Sequence, residues 1–234
     1  AEREFATKIE LGWRMIQRVK ANGLPFEAVA CDDLYGRSGW LRHHMDAAGI
    51  VYMAEVPENT RVYLNPPEFG VPPPQPEQRG QKSTRPQILS PDPPVEARQL
   101  VQRAELPFQR FRVRSTERGE LDDPFAMRRV WTIREGALAE EWLVIRHEYG
   151  ARYTYALSNA PAATSQEHLA WLKCVRHFVE RSNQDAKSEA GWDELQARKF
   201  RAWEHHLALN ILATWFVAQT KLDWKNTYPR EPQL

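Results

Sequence analysis

The stretch EAVACDDLYG, residues 27–36, ends an apolar run (Ala28, Val29, Ala30, Cys31) in two adjacent aspartates. Carboxylates at a strand end serve either a turn or a hard divalent cation. Such a cation takes oxygen donors, commonly one or two protein carboxylates alongside substrate phosphates. The metal reading therefore needs a partner acid elsewhere in the chain. Residues 171–192, WLKCVRHFVERSNQDAKSEAGW, offer one. At roughly 100° per residue, Arg176, Glu180, Asn183 and Lys187 fall on one side of a helix. They form a stripe of cation, acid, amide and cation. Arg176 and Glu180 at i, i+4 are equally an ordinary surface ion pair, worth about 0.3–0.5 kcal/mol. In the metal reading Glu180 is a second ligand, and the flanking cations hold phosphates, Arg as a bidentate fork and Lys as a point charge.

The elements that must position these groups are legible in the apolar spacing. Ile9, Trp13, Ile16 and Val19 predict an amphipathic helix over 8–21, stopped at Asn22–Gly23. EAVAC reads as a short buried strand, GWLRHHMDAAG as a short helix and IVYMAEV as a second strand. Strand, helix, strand is the pattern of a parallel pair. Of the 17 prolines, 12 fall between Pro57 and Pro107. Proline fixes φ and lacks a donor N–H, so this stretch is expected to be a long loop or linker. Residues 108–157 alternate or are rich in β-branched and aromatic side chains, with Gly119, Gly136 and Gly150 at the turns, a small β-rich module. Helices follow at about 165–187 and 196–220. Leu172, Val175 and Val179 are expected on the core face of the first, with Trp171 and Phe178 at its flanks.

Other residues carry two readings each. Arg110, Arg112 and Arg114 alternate along one strand, with Arg128 and Arg129 nearby; they suit a solvated sheet face or a DNA track. Trp131 and Trp142 are expected as core aromatics, the alternative being a stack on an unpaired base. Arg198, Lys199 and Arg201 form a surface cluster or a phosphate contact. His43–His44 and His205–His206 are adjacent pairs whose side chains diverge on a helix, and read as packing residues. Asp193 and Glu194 read as helix N-terminal acids.

Bulk composition narrows the class. The chain has 234 residues, 42% hydrophobic and 27% charged, with a net charge of +1, so nucleic-acid binding has to come from local patches. Cys31 and Cys174, far apart in apolar surroundings, read as free thiols in a reducing compartment. No apolar run is long enough for a membrane span, and the charged start is not a signal peptide.

Arg176, three residues, Glu180, six residues, Lys187 has the spacing of the Tyr-Arg-Glu-Lys signature of DDE-type bacterial insertion-sequence transposases. CDDLYG resembles the ADxxYG of the same family, which places Asp32 rather than Asp33 on its second catalytic aspartate. The flanks are similar too: ATKIELGWRMIQRVKANGLPFEAVACDDLYG before the aspartate, and YALSNAPAATSQEHLAWLKCVRHFVERSNQDAKSEAGWDELQARKFRAWEHHLAL through the glutamate, with Trp203 and His206. The chain departs at the signature's tyrosine, which is Lys173 here, a change that replaces a hydroxyl with charge. It also has no aspartate among residues 1–31 to stand for the family's first.

The resemblance implies an α/β fold: a partial ribonuclease-H-like core, its early strands absent from this chain, interrupted by a β-rich insertion and followed by long C-terminal helices. The expected organisation is residues 1–56 as core carrying Asp32, 57–107 as Pro-rich linker, 108–160 as insertion, 161–225 as core helices carrying Glu180, and 226–234 as tail. It implies two Mg2+ ions, with Mn2+ as a substitute, bound by Asp32 and Glu180 as catalytic metal ligands. DNA would be held by Arg176, Lys187 and Lys173, with Arg112 and Arg114 on the insertion. The implied activity is cleavage and strand transfer at transposon ends. The implied partners are double-stranded DNA, a second copy in a synaptic dimer and an N-terminal part of the same protein, in the bacterial cytoplasm at the nucleoid. The chain alone is then expected to be inactive. Two rival readings are a transposase-derived DNA-binding or structural protein without catalysis, and an unrelated α/β scaffold in which Asp32 and Glu180 never meet.

Overall fold

The computed structural model describes residues 5–73, 84–116, 119–150 and 152–227. The chain divides into two compact units, one ending at Cys174 and one beginning at Val175.

The first unit opens with α1 (Lys8–Ala21), started by a reciprocal cap between Thr7 and Glu10. Next come β1 (Ala28–Cys31), the single-turn helix α2 (Asp33–Gly36), α3 (Gly39–Ala47) and β2 (Val51–Val56). The strands β1 and β2 pair in parallel, Cys31 opposite Ala54, as the strand–helix–strand pattern predicts. Ile9, Trp13 and Ile16 of α1 pack with Leu41 and Met45 of α3 and Tyr52 of β2. Val19, expected on that face, is 37% exposed.

The Pro-rich stretch, expected as a linker, folds back on this unit. It holds β3 (Arg61–Val62), β4 (Phe69–Gly70), β5 (Gln87–Ile88), β6 (Val95–Glu96) and a 3-10 turn at Ala97–Leu100. β3 pairs with β6 and β4 with β5. Val62, Ala97, Leu100 and Leu106 are buried in the core beneath the sheet. The prolines bar regular structure, but the apolar residues between them still gain by leaving water. Residues 74–83 of that stretch lie outside the described residues.

The β-rich module is β7 (Gln109–Thr116), β8 (Gly119–Arg134), β9 (Ala137–Glu148) and β10 (Arg152–Ser158). It is continuous with the core: one six-stranded sheet runs β1-β2-β10-β9-β8-β7, parallel only at β1–β2. Gly136 sits at φ 73° in the β8–β9 turn, a backbone region that glycine enters without a steric cost. The helix α4 (Gln166–Cys174) covers one sheet face, packing Leu169, Ala170 and Leu172 on Met53, Val144 and Ala156.

The second unit is a helical pair, α5 (Arg176–Ala190) and α6 (Phe200–Thr227). The single helix expected over 165–187 is interrupted at Val175. Of the residues expected on or beside its core face, Leu172 is buried within the first unit, while Phe178 and Val179 are exposed in the second. α5 ends at Gly191, left-handed at φ 64°. The whole is a mixed α/β architecture compatible with a ribonuclease-H-like core carrying insertions. Among the described residues, no helix is long and apolar enough to cross a membrane.

Candidate active site

Asp32 follows the last residue of β1 and is the N-cap of α2; its Oδ1 accepts from the Tyr35 N–H at 3.3 Å. That is the side chain's one hydrogen bond among the described residues, and the residue is half-buried, so the carboxylate keeps open acceptor positions. Asp33 is committed elsewhere, in an i, i+4 ion pair with Arg37.

The rest of the motif has steric reasons. A Cβ on Gly36 would lie 1.9 Å from the Glu55 carbonyl oxygen, so α2 can rest on the β2 backbone only with glycine there. A Cβ on Gly12 of α1 would lie 2.9 Å from the Tyr35 ring, which packs in the space glycine leaves. The Gly36 carbonyl accepts from Arg42 at 3.2 Å. Arg42 is buried and faces Glu141, a fully buried carboxylate, at 3.6 Å. Glu141 in turn accepts from the Tyr52 hydroxyl at 2.5 Å and from the Thr132 hydroxyl. Arg134, also buried, donates to the Tyr52 hydroxyl at 2.7 Å and to Asp46 at 2.9 Å. Burial and the neighbouring Glu141 charge push the Tyr52 phenol well above its ordinary value, so it stays a donor. This network ties α3, β2, β8 and β9 behind the turn that carries Asp32. None of its members stands out in the sequence; the one available signal was a Glu in the apolar strand EEWLVI.

Register places a second acid beside Asp32. Cys31 opposite Ala54 puts Asp32 and Glu55 one step further on, at neighbouring strand ends. Ala28 and Met53 both pack toward α4, so alternation turns Asp32 and Glu55 to that same side. Lys173 of α4 meets Glu55 there, Nζ 2.9 Å from Oε1. Its side chain is 1% exposed. The phosphate contact expected of Lys173 is not what this placement supports: the ammonium faces a carboxylate inside the unit. Burial lowers its pKa, with Glu55 opposing.

In the second unit, Glu180 pairs with Arg176 at 2.7 Å, the ordinary i, i+4 contact. Asn183 and Lys187 are exposed on the same helix. Asp32 and Glu180 belong to different units. Among the described residues, no group of three or more His, Cys, Asp or Glu side chains is arranged to hold a metal. The donor chemistry of Asp32 suits a hard cation, an open carboxylate at a strand end, but the described residues do not complete a ligand set around it.

Residues 1–120 match the family of DDE superfamily endonucleases. The chain belongs to that family. No curated protein matches it. The matched stretch contains Asp32 and the parallel strands, and it ends before Glu180. Membership overturns the reading of the chain as an unrelated α/β scaffold.

On the DDE domain's β-rich sheet, the alternating arginines carry their own counter-ions. Arg110 lies 3.2 Å from Asp122, and Arg112 lies 2.7 Å from Glu120, across the β7–β8 ladder. The Arg114 side chain lies outside the described residues. Arg128 donates to the Leu64 carbonyl, and Arg129 pairs with Glu140 and lies over the Trp142 ring. Trp142 is half-buried and donates to the Pro161 carbonyl; the Trp131 backbone bridges to Tyr63. His44 packs against Trp40 and Trp13, and His206 Nε2 donates to the Gly191 carbonyl at 3.2 Å.

Proposed function

We propose that this DDE domain belongs to a DNA transposase that cleaves phosphodiesters and transfers strands at transposon ends. The observation that carries the reading is Asp32: an open carboxylate at the end of a parallel strand, in the stretch matched to an endonuclease family, held by a glycine-packed turn. Asp32 and Glu180 are the carboxylates that would hold divalent cations, two Mg2+ or Mn2+. When bound, such ions activate the attacking oxygen and stabilise the leaving one. Arg176 and Lys187, with Arg112 and Arg114 on the insertion, would hold DNA phosphates. The Arg176–Glu180 pair orients the glutamate along the helix surface. Double-stranded DNA, a second copy and an N-terminal part of the same protein are the partners this reading requires.

The test is cleavage and strand transfer by the full gene product, in Mg2+ and in Mn2+, on DNA carrying the ends that flank the gene. Asp32→Ala and Glu180→Ala should each abolish product while leaving binding to the ends intact. Full retention of activity in either variant would overturn the assignment. End binding by a wild-type protein without any cleavage would favour the second reading, a transposase-derived DNA-binding protein.

A further inference from the structure

We infer that Lys173 is a positioning residue rather than a phosphate ligand: its buried ion pair with Glu55 fixes α4 against the strand end that carries Asp32. The inference rests on the reading of Asp32 as a metal-binding carboxylate. Three observations support it. Lys173 Nζ lies 2.9 Å from Glu55 Oε1, with the lysine side chain 1% exposed and the glutamate side chain 27% exposed. Glu55 and Asp32 occupy adjacent positions at the ends of parallel strands and turn to the same side of the sheet. The Glu55 backbone is the surface on which Gly36, and with it the Asp32 turn, is seated.

The physical consequence follows from charge. Two carboxylates at neighbouring strand ends repel. The Lys173 ammonium matches the Glu55 charge from the α4 side, so that Glu55 neither repels the Asp32 carboxylate nor competes with it for a cation. Buried in this way, the ammonium has given up its water. Removing one partner leaves the other as an uncompensated charge, whereas removing both leaves none. α4 is thereby registered on the sheet at its last turn, the turn from which the chain continues to Glu180.

The test separates a buried structural cation from one that touches DNA. Duplex binding by the full gene product is measured against KCl for wild type, Lys173→Met and Lys187→Ala. A lost phosphate contact lowers the slope of log K against log salt by about 0.9. The expected result is an unchanged slope for Lys173→Met. A slope reduced by that amount would overturn the inference. Urea unfolding of Lys173→Met, Glu55→Gln and the double variant gives the coupling. The double variant is expected to be more stable than the sum of the single losses predicts; additivity would overturn it. Lys173→Arg keeps the charge and should restore both stability and activity if Lys173→Met folds poorly. If Asp32→Ala remains fully active while the Lys173–Glu55 coupling holds, the Asp32 reading fails and the ion pair stands. If Asp32→Ala is inactive and Lys173→Met only reduces the salt slope, the pair fails and Asp32 stands.

Discussion

At the scale of single residues, the Asp32 side chain has two separable roles, cap and charge. Asparagine preserves the N-cap acceptor and alanine does not. Asp32→Asn should therefore match wild type in urea unfolding within about 0.5 kcal/mol and still lose cleavage, whereas Asp32→Ala should lose cleavage and about 1 kcal/mol of stability. Gly36 is stricter, because the atom in the way is backbone. Gly36→Ala puts a Cβ where the Glu55 carbonyl sits and should cost about 3 kcal/mol or more by the same measurement. Lys173 gives a pH signature. Burial holds its folded pKa below the ordinary 10.5, so between those two values the unfolded chain binds more protons. Stability should consequently rise with pH through that window. The rise should be absent from Lys173→Met and so appear as a pH-dependent difference between wild type and that variant, followed by unfolding at a series of alkaline pH values. The pairing of CDDLYG with a distant Glu comes from the resemblance of the two motifs to the family's and stands as part of the proposed function. The importance of Glu55 was not legible in the sequence, because a glutamate at the end of VYMAEV looks like any strand-end charge until register sets it beside Asp32.

At the scale of elements, the apolar periodicity of α1, the strand–helix–strand run and the four β-rich segments all read correctly, since each reflects a local period of 3.6 or 2. The break at Val175 did not, because the spacing of Leu172, Val175 and Val179 remains helical through it. The buried network behind the Asp32 turn also escaped, as it joins α3, β2, β8 and β9 over long separations. Glu141→Gln leaves Arg42 and Arg134 facing an uncharged group inside the unit and should cost about 3–5 kcal/mol, measured by denaturant unfolding. The arginine ladder on β7 makes a different prediction. Because Asp122 and Glu120 answer Arg110 and Arg112, the Asp122→Asn, Glu120→Gln variant should bind duplex DNA more tightly at low salt if that face contacts phosphates. An unchanged affinity would remove the insertion from the DNA path.

At the scale of the whole molecule, the two units differ in how they satisfy their apolar surface. The three core clusters all lie in the first, so residues 5–174 expressed alone should unfold in one cooperative urea transition; a broad, non-cooperative loss of signal would contradict this. The second has Trp203, Ile211, Leu212, Trp215 and Phe216 exposed on α6, a helix apolar around most of its circumference. Such a helix is stable where neighbours cover it. With a net charge of +1, the DNA affinity proposed for the protein has to arise from local groups. By itself the amino-acid sequence determined the order of elements, the parallel pair and the family resemblance, because these depend on side-chain type, spacing and short-range sterics. Only the tertiary structure decided that the Pro-rich stretch joins the core, that the β-rich module extends the same sheet, and that Lys173 meets Glu55. Each of those depends on which residues, distant in the chain, can exclude water together, and no local period encodes that.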